Sequence, residues 1–518
     1  MIKGFRQIAS LTALSRVFGM IRDMAFAHFF GSRGLSTAWT MAFKIPNLAR
    51  RLFGEGAASA SLIPVYSEEL HNNPENAKRL ANTVVTVIFV ILAAIVVVGE
   101  ALVISYYHFF ETRTEPRIGL ALCAIMLPYM IFICLVALLA GILNVHRHFA
   151  TPAAAPIVLN IFIIAGVLFG GWVLKLQPEK LVFVVAAAVL LAGVAQIAMQ
   201  IPSLRSCGVS IRPAWDVSSE AFKKVIIMMG PMIIGLTVTQ LNTLADDFVA
   251  LGFMNERGDP VGYGAVAHLY FAQRLYQFPL GVLGISLATA IFPVMSADAA
   301  KKDFEALSRT IAKGIKAAVF IAVPATAGIF LVAKPLVSAL LDHGRFKTAD
   351  TPIVALTLSF YAVGICGYFA QQIMTRAFYS MQDPKTPVRS AILAVCVNIL
   401  LNLTLIWFMG TAGLALSTAI CSYLQVVILL SVLRKRMAHP ILVGFPLSLA
   451  KVIAATAIMC LVGVSINLLM RNLPADRYFN VLRLAAVVPS AVVVYALSAK
   501  LLRIESLSLL TGTSATDG

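Results

Sequence analysis

Apolar runs of roughly twenty residues, each long enough to cross a bilayer as a helix, recur roughly fourteen times along this chain. They centre near residues 18, 48, 94, 130, 164, 192, 236, 278, 326, 364, 398, 422, 458 and 490. Inside a bilayer every backbone N–H and C=O has to be bonded within the protein, and a helix does that within one segment. The chain therefore reads as an all-α polytopic membrane protein with about 14 transmembrane helices. Composition agrees: of 518 residues, 59% are hydrophobic and 13% charged, against ~45–50% and ~25% in soluble domains. The first segment reads as a retained helix, not a cleaved signal peptide.

The net charge of +17 would suggest nucleic acid on a soluble protein. Here the basic residues fall in alternate loops, the pattern of the positive-inside rule. Lys3, Arg6, Lys78, Arg79, Arg147, Arg205, Arg212, Lys301, Lys385 and Arg436 lie on one side. That places both termini in the cytoplasm and leaves no nucleic-acid partner. Opposite loops are mixed, as in Glu111, Arg113, Glu115 and Arg117, or Glu256, Arg257 and Asp259. Loops 203–222 and 297–312 read as amphipathic cytoplasmic connectors.

The chain repeats itself. Residues 58–67 (ASASLIPVYS) resemble residues 287–296 (LATAIFPVMS), an offset of 229. Residues 148–152 (HFATP) resemble residues 382–387 (QDPKTP), an offset of 235. Two matches in the same order predict two pseudo-symmetric six-helix bundles, 1–215 and 216–440. Transporters built from such repeats bind substrate near the bilayer midplane, where the repeats meet. Two plainer helices, near 446–470 and 479–503, lie beyond the repeat in a segment 441–505. A tail, 506–518, follows. The C-terminal pair reads either as a lipid-facing appendage or as a groove for an apolar ligand.

Charge inside the spans marks the function, because it is costly there unless a cavity or partner receives it. Arg16, Gly19 and Asp23 share one helical face, with Arg22 about 120° round from Arg16. Snorkelling of Arg22 and Asp23 from a helix end is the structural alternative. Lys44, Asn47, Arg51 and Glu55 form one stripe at i, i+3, i+7 and i+11, Arg50 falls beside it, and Pro46 can bend the helix. A third stripe holds Tyr270, Arg274, Gln277, Gly281 and Gly284. Most of these charges are basic, which implies anionic cargo, and guanidinium groups suit a pyrophosphate because they bind it bidentately. Pairing of Arg274 with Asp246 or Asp247 is the structural alternative.

Thr239, Asn242 and Asp246 share a face of another span, and Asn398, Asn402, Ser417 and Thr418 lie in two more. Their oxygens suit a hard cation such as sodium, and equally the hydrogen bonds that hold membrane helices together. Nothing supports covalent catalysis. The eight histidines are scattered, the seven cysteines have no pairing or metal spacing, and no phosphate-cradling glycine loop is present. The chain reads as a transporter and not an enzyme, with no bound cofactor.

Residues 15–23 (SRVFGMIRD) and 43–57 (FKIPNLARRLFGEGA) resemble the MurJ (MviN) lipid II flippases. So do residues 273–282 (QRLYQFPLGV) and 377–387 (AFYSMQDPKTP), in the same order. The resemblance implies the MOP exporter fold, MATE-like, with two six-helix bundles, a V-shaped cavity and two extra C-terminal helices that hold a polyprenyl tail. It implies export of lipid II, an anionic polyprenyl-pyrophosphate glycolipid, across the bacterial plasma (inner) membrane for peptidoglycan synthesis and cell shape. By motif the family's cavity arginines match Arg16, Arg22, Arg50 and Arg274. The stripe alone favours Arg51 over Arg50, so both stay candidates, with Lys44 and Gln277 beside them.

The family's sodium constellation matches Asp246, Asn398, Asn402, Leu414 and Thr418, where Asn402 stands in place of a carboxylate. Thr37, Gln273 and Gln277 likewise occupy places where acids are common. The expected energy source is Na+ or H+ coupling or the membrane potential. The expected partners are lipid II and membrane lipids, with the protein a monomer. Another polyprenyl-saccharide flippase and a cation-coupled drug exporter of the same superfamily are the alternatives; the basic cavity argues against the second.

Overall fold

The computed structural model describes residues 2–54, 57–109, 114–252, 262–280, 285–437, 441–474 and 476–507. Glu55, Glu111, Arg113, Glu256, Arg257, Asp259, Gly281 and Gly284 lie outside them, as do the side chains of Thr239, Asn242 and Glu115 and the end of the tail. Every regular element among the described residues is helical, and the chain divides into two compact units, Met1–Leu241 and Asn242–Gly518.

The N-terminal half holds α1 (Ile2–Phe30), α2 (Leu35–Ala49), α3 (Ala57–Asn72), α4 (Pro74–Phe109), α5 (Thr114–Met126), α6 (Tyr129–Val145), α7 (Ala150–Leu168) and α8 (Pro178–Ser206). The same eight-helix order returns as α9 (Glu220–Gly252), α10 (Gly262–Pro279), α11 (Ile285–Ala300), α12 (Phe304–Leu341), α13 (Asp350–Val363), α14 (Ile365–Ser380), α15 (Lys385–Met409) and α16 (Thr411–Met437). Packing repeats too. In the first unit α2 lies on α5, α3 on α6, α6 on α8 and α7 on α8; in the second α10 lies on α13, α11 on α14, α14 on α16 and α15 on α16.

The two sequence repeats fall on matching features. Pro64 sits inside α3 and Pro293 inside α11. The turns after α6 and α14 pass through Arg147 at φ 59° and Gln382 at φ 60°. The next N–H, from His148 or Asp383, returns 2.9 Å to the carbonyl of Leu143 or Phe378. This left-handed closure satisfies carbonyls that the helix end leaves open. The two halves thus repeat one order of elements and packing, and each expected six-helix bundle is built from eight helical segments. The extra segments are short helices, α3 and α11, and breaks within spans, such as that between Arg117–Met126 and Tyr129–Val145, bent by 40°.

Nine described helices, or ten counting that bent pair as one crossing, are long and apolar enough to cross a membrane. The fourteen-segment reading adds α1, α2, α9 and α10. These are the helices that hold Arg16, Arg22, Lys44, Asp246 and Arg274, so the charges that suggest function also lower their apolar character. The loop expected at 297–312 is mostly helix: α11 runs to Ala300 and α12 starts at Phe304, capped by Asp303, whose carboxylate accepts from the Ala306 N–H at 2.9 Å. That cap satisfies one of the open N–H groups of a helix start.

α17 (Phe445–Leu469) and α18 (Arg477–Leu501) follow the repeat and pack on each other and on α12. Tyr495 donates to the Phe320 carbonyl at 2.6 Å, and Asn480 donates to Ser338 Oγ at 2.9 Å. Between helices in lipid the hydrophobic effect is weak, so such bonds and close packing carry association.

Candidate functional site

In the first unit an aromatic row sets the spacing of α1, α2 and α6. Phe26 lies against Trp39 at 4.8 Å, Trp39 stacks on Phe43 at 5.6 Å, and Phe43 stacks on Tyr129 at 6.2 Å. Arg22, one helical turn before Phe26, is 7% exposed and Asp23 3%. Arg22 Nη2 donates to Asp23 Oδ1 at 2.8 Å and Nε to the same oxygen at 3.0 Å. Its Nη1 donates to Asn160 Oδ1 on α7 at 3.0 Å, and Asn160 in turn donates to the Ser15 carbonyl at 3.2 Å. Arg22 and Asp23 are thus neither at a helix end nor snorkelling: they join α1 to α7.

Arg16 and Lys44 are half-buried. α2 gives way after Ala49 to a π-helical turn, Arg50–Gly54, following the in-helix Pro46. The wider turn changes the angle between successive side chains, so the α-helical arithmetic that favoured Arg51 stops at Arg50. Such single π turns recur at functional sites. Arg50 is half-buried. Arg51 is exposed and donates to Gln240 Oε1 at 3.1 Å.

In the second unit Arg274 and Gln277 are half-buried on α10. The Arg274 guanidinium carbon lies 4.9 Å from the centre of the Tyr270 ring, a cation–π arrangement. Gln273 donates to the Tyr361 hydroxyl at 3.0 Å, and Tyr276 stacks on Tyr361 at 4.8 Å.

The residues matched to a cation site do come together. Asn402 donates to Asp246 Oδ1 at 2.6 Å and to Asn398 Oδ1 at 2.9 Å. Ser417 donates to Asn402 Oδ1. Asn398 reaches Thr418 Oγ1 at 3.4 Å, and the Leu414 carbonyl accepts from Ser417 at 2.8 Å and Thr418 at 2.9 Å. A very tight turn makes this possible. Gly410 at φ 56° is the single residue between α15 and α16, and a Cβ on Gly413 would stand 2.5 Å from the Leu405 carbonyl oxygen. The oxygens gathered here come from one buried carboxylate, amides, hydroxyls and a backbone carbonyl, the kind a hard cation takes, while the Asn402 amide nitrogen is turned toward Asp246 and Asn398. No group of three His, Cys, Asp or Glu converges among the described residues.

The two clusters occupy corresponding helix pairs, α1 with α7 and α9 with α15. One is built around a cation, Arg22, and the other around an anion, Asp246. Sequence reasoning missed Asn160 and Gln240. Asn160 had a readable signal, an amide alone in the apolar run of α7.

The solved structure of "Lipid II flippase MurJ, inward closed conformation" superposes with a TM-score of 0.77 over 96% of this chain and 99% of that one, at 23% identity. An inward-facing multidrug resistance MATE transporter of the MOP superfamily superposes with a TM-score of 0.65 over 83% and 98%, at 14% identity. At those identities the likeness is one of fold. A probable lipid II flippase MurJ of Vibrio cholerae serotype O1 is 32% identical over 435 residues, 82% of this chain and 81% of that one. A lipid II flippase MurJ of Burkholderia cenocepacia is 32% identical over 441 residues, 83% of each. The family model described as "Lipid II flippase MurJ" matches residues 26–481, and the chain belongs to that family.

Proposed function

We propose that this protein is a lipid II flippase that carries the undecaprenyl-pyrophosphate-linked peptidoglycan precursor from the cytoplasmic to the outer leaflet by alternating access. The observation that carries the reading is family membership across residues 26–481, together with basic side chains held within α1, α2 and α10. Arg16, Lys44, Arg50, Arg51, Arg274 and Gln277 bind the pyrophosphate and headgroup, and Arg22 holds α1 to α7 while adding to the positive field. The 1–215 and 216–440 segments act as the two moving bundles. The 441–505 helices hold the polyprenyl tail, which has no place among polar groups.

The protein is a multi-pass protein of the bacterial inner membrane, works as a monomer with both termini in the cytoplasm, and performs no covalent chemistry. Asp246, Asn398, Asn402, Leu414 and Thr418 hold a sodium ion, which supplies a charge that offsets the buried Asp246 carboxylate. Only differential binding to two states drives a conformational change, so ion binding or the membrane potential, worth ~2.3 kcal/mol per charge per 100 mV, biases the reset. The test is translocation of lipid II by the purified protein in liposomes, with sodium gradient, pH gradient and potential varied separately. Lipid II movement no faster than in protein-free liposomes under every gradient overturns the reading.

A further inference from the structure

Between α8 and α9 the chain runs as an extended strap, residues 207–219, along the start of α4. Alternate backbone N–H groups are held by α4 side chains: Arg212 N–H by Asn82 Oδ1 at 3.1 Å, Ala214 N–H by Thr86 Oγ1 at 3.1 Å, and Asp216 N–H by Thr83 Oγ1 at 3.4 Å. Arg79 adds a contact to the Asp216 carboxylate at 3.9 Å. The backbone is thereby fixed in one register. Large apolar side chains on the strap nevertheless stay outward: Trp215 is 62% exposed, with Ile211 at 38% and Val217 at 39%.

The level of the strap along α4 gives these side chains a meaning. The outward apolar face of α4 begins at Phe89 and Val90, 46% and 44% exposed. Thr86, which holds the strap, lies three residues earlier, about 4.5 Å along the axis at the α-helical rise. On α8 the apolar surface ends at Ile201, and Arg205 follows one turn later. The strap thus sits where the lipid-facing surface of this unit gives way to its polar end. A tryptophan with an apolar side and a polar tip is favoured at that depth. Arg205, Arg212 and Lys223 are exposed near it and make no ion pair among the described residues. The strap's own acid Asp216 faces Arg79, and Glu220 is exposed at the start of α9.

We propose that residues 207–219 form an interfacial anchor that lies in the headgroup layer, Trp215 in the lipid boundary and Arg205, Arg212 and Lys223 on anionic phospholipid headgroups. Apolar side chains beside unpaired basic ones match an anionic bilayer surface, which attracts basic residues within a Debye length. The anchor ties the connection between α8 and α9 to the membrane plane and is independent of the cargo.

The experiment uses the full chain in nanodiscs of phosphatidylcholine with varied phosphatidylglycerol. Trp215 fluorescence is isolated as the difference between wild type and Trp215→Phe, which leaves Trp39, Trp172 and Trp407 in place. The expected result is quenching of that share by lipids brominated near the headgroup end of the acyl chain, with little quenching by aqueous iodide. The triple variant Arg205→Gln/Arg212→Gln/Lys223→Gln should need several-fold more phosphatidylglycerol for the same protection from iodide. A Trp215 signal quenched by iodide and untouched by brominated lipid overturns the anchor. Equal phosphatidylglycerol dependence in wild type and triple variant overturns the anionic-headgroup assignment.

Discussion

Arg22 and its neighbour in sequence, Asp23, form an ion pair inside the N-terminal unit, Nη2 2.8 Å from Oδ1 with side chains 9% and 5% exposed. The pair stabilises little by itself, since removing two charges from water offsets most of their attraction. Breaking it is different. Asp23→Ala leaves a buried guanidinium without its carboxylate and should destabilise by about 3–5 kcal/mol, read as a large fall in melting temperature in detergent. Replacing both residues, Arg22→Met with Asp23→Leu, should recover most of that stability. If the double variant folds and still flips lipid II at the wild-type rate, Arg22 has no part in the positive field.

The Arg274 guanidinium lies over the Tyr270 ring, which orients its planar group. Arg274→Lys should lose lipid II flipping nearly as fully as Arg274→Ala, because an ammonium keeps the charge but not the two-pronged donor geometry. Tyr270→Phe keeps the ring and should stay close to wild type. Growth of a flippase-depleted strain on each variant reads the outcome, and full rescue by the lysine variant would show that charge alone suffices.

The buried cluster around Asp246 carries one carboxylate where its helix neighbours offer amides and hydroxyls. Asp246→Asn should abolish sodium binding measured by isothermal titration at pH 8. Asn402→Asp adds a second charge and should tighten binding at least several-fold, since more carboxylates raise the affinity of an oxygen site. Sodium binding that survives Asp246→Asn would place the ion elsewhere.

The turn before α15 is pinned by Asp383. Its Oδ1 accepts from the N–H groups of Lys385 at 3.0 Å and Thr386 at 3.1 Å, and Arg436 donates to Oδ2 at 2.6 Å. Partial burial pushes the carboxyl pKa up, but the bonds from Thr386 and Arg436 outweigh it and hold the group below its ordinary value. A depressed folded-state value contributes stability above the unfolded carboxyl range, ~3.9, and loses it as pH falls through the folded value. Asp383→Asn should therefore lower the melting temperature at pH 7, and the difference from wild type should shrink as pH falls below the ordinary carboxyl range and through the depressed folded value. Asp383→Ala also removes the helix cap, worth about 1 kcal/mol, so some of its deficit should persist at low pH.

Much of the architecture was legible because periodicity and length are local properties. The C-terminal pair expected near 446–470 and 479–503 appears as Phe445–Leu469 and Arg477–Leu501. The short repeats at offsets 229 and 235 land on α3 with α11 and on the turns before α7 and α15. The breaks within spans were less legible. A π turn at Arg50 or a 40° bend between Met126 and Tyr129 depends on how the helix is packed, and an apolar run does not encode it.

What the sequence determined alone was the inventory: a membrane protein, internally duplicated, with an unusual store of arginine inside its spans. It also nominated Asp246, Asn398, Asn402, Leu414 and Thr418, residues separated by up to 172 positions. Only the tertiary structure decided which charges are committed to one another. Arg22 could have faced water or a partner, and the choice rests on Asn160, 138 residues away on α7. Whether a side chain inside a membrane is a ligand or a strut depends on what stands within about 3 Å of it, and that distance is set by helix packing across the unit.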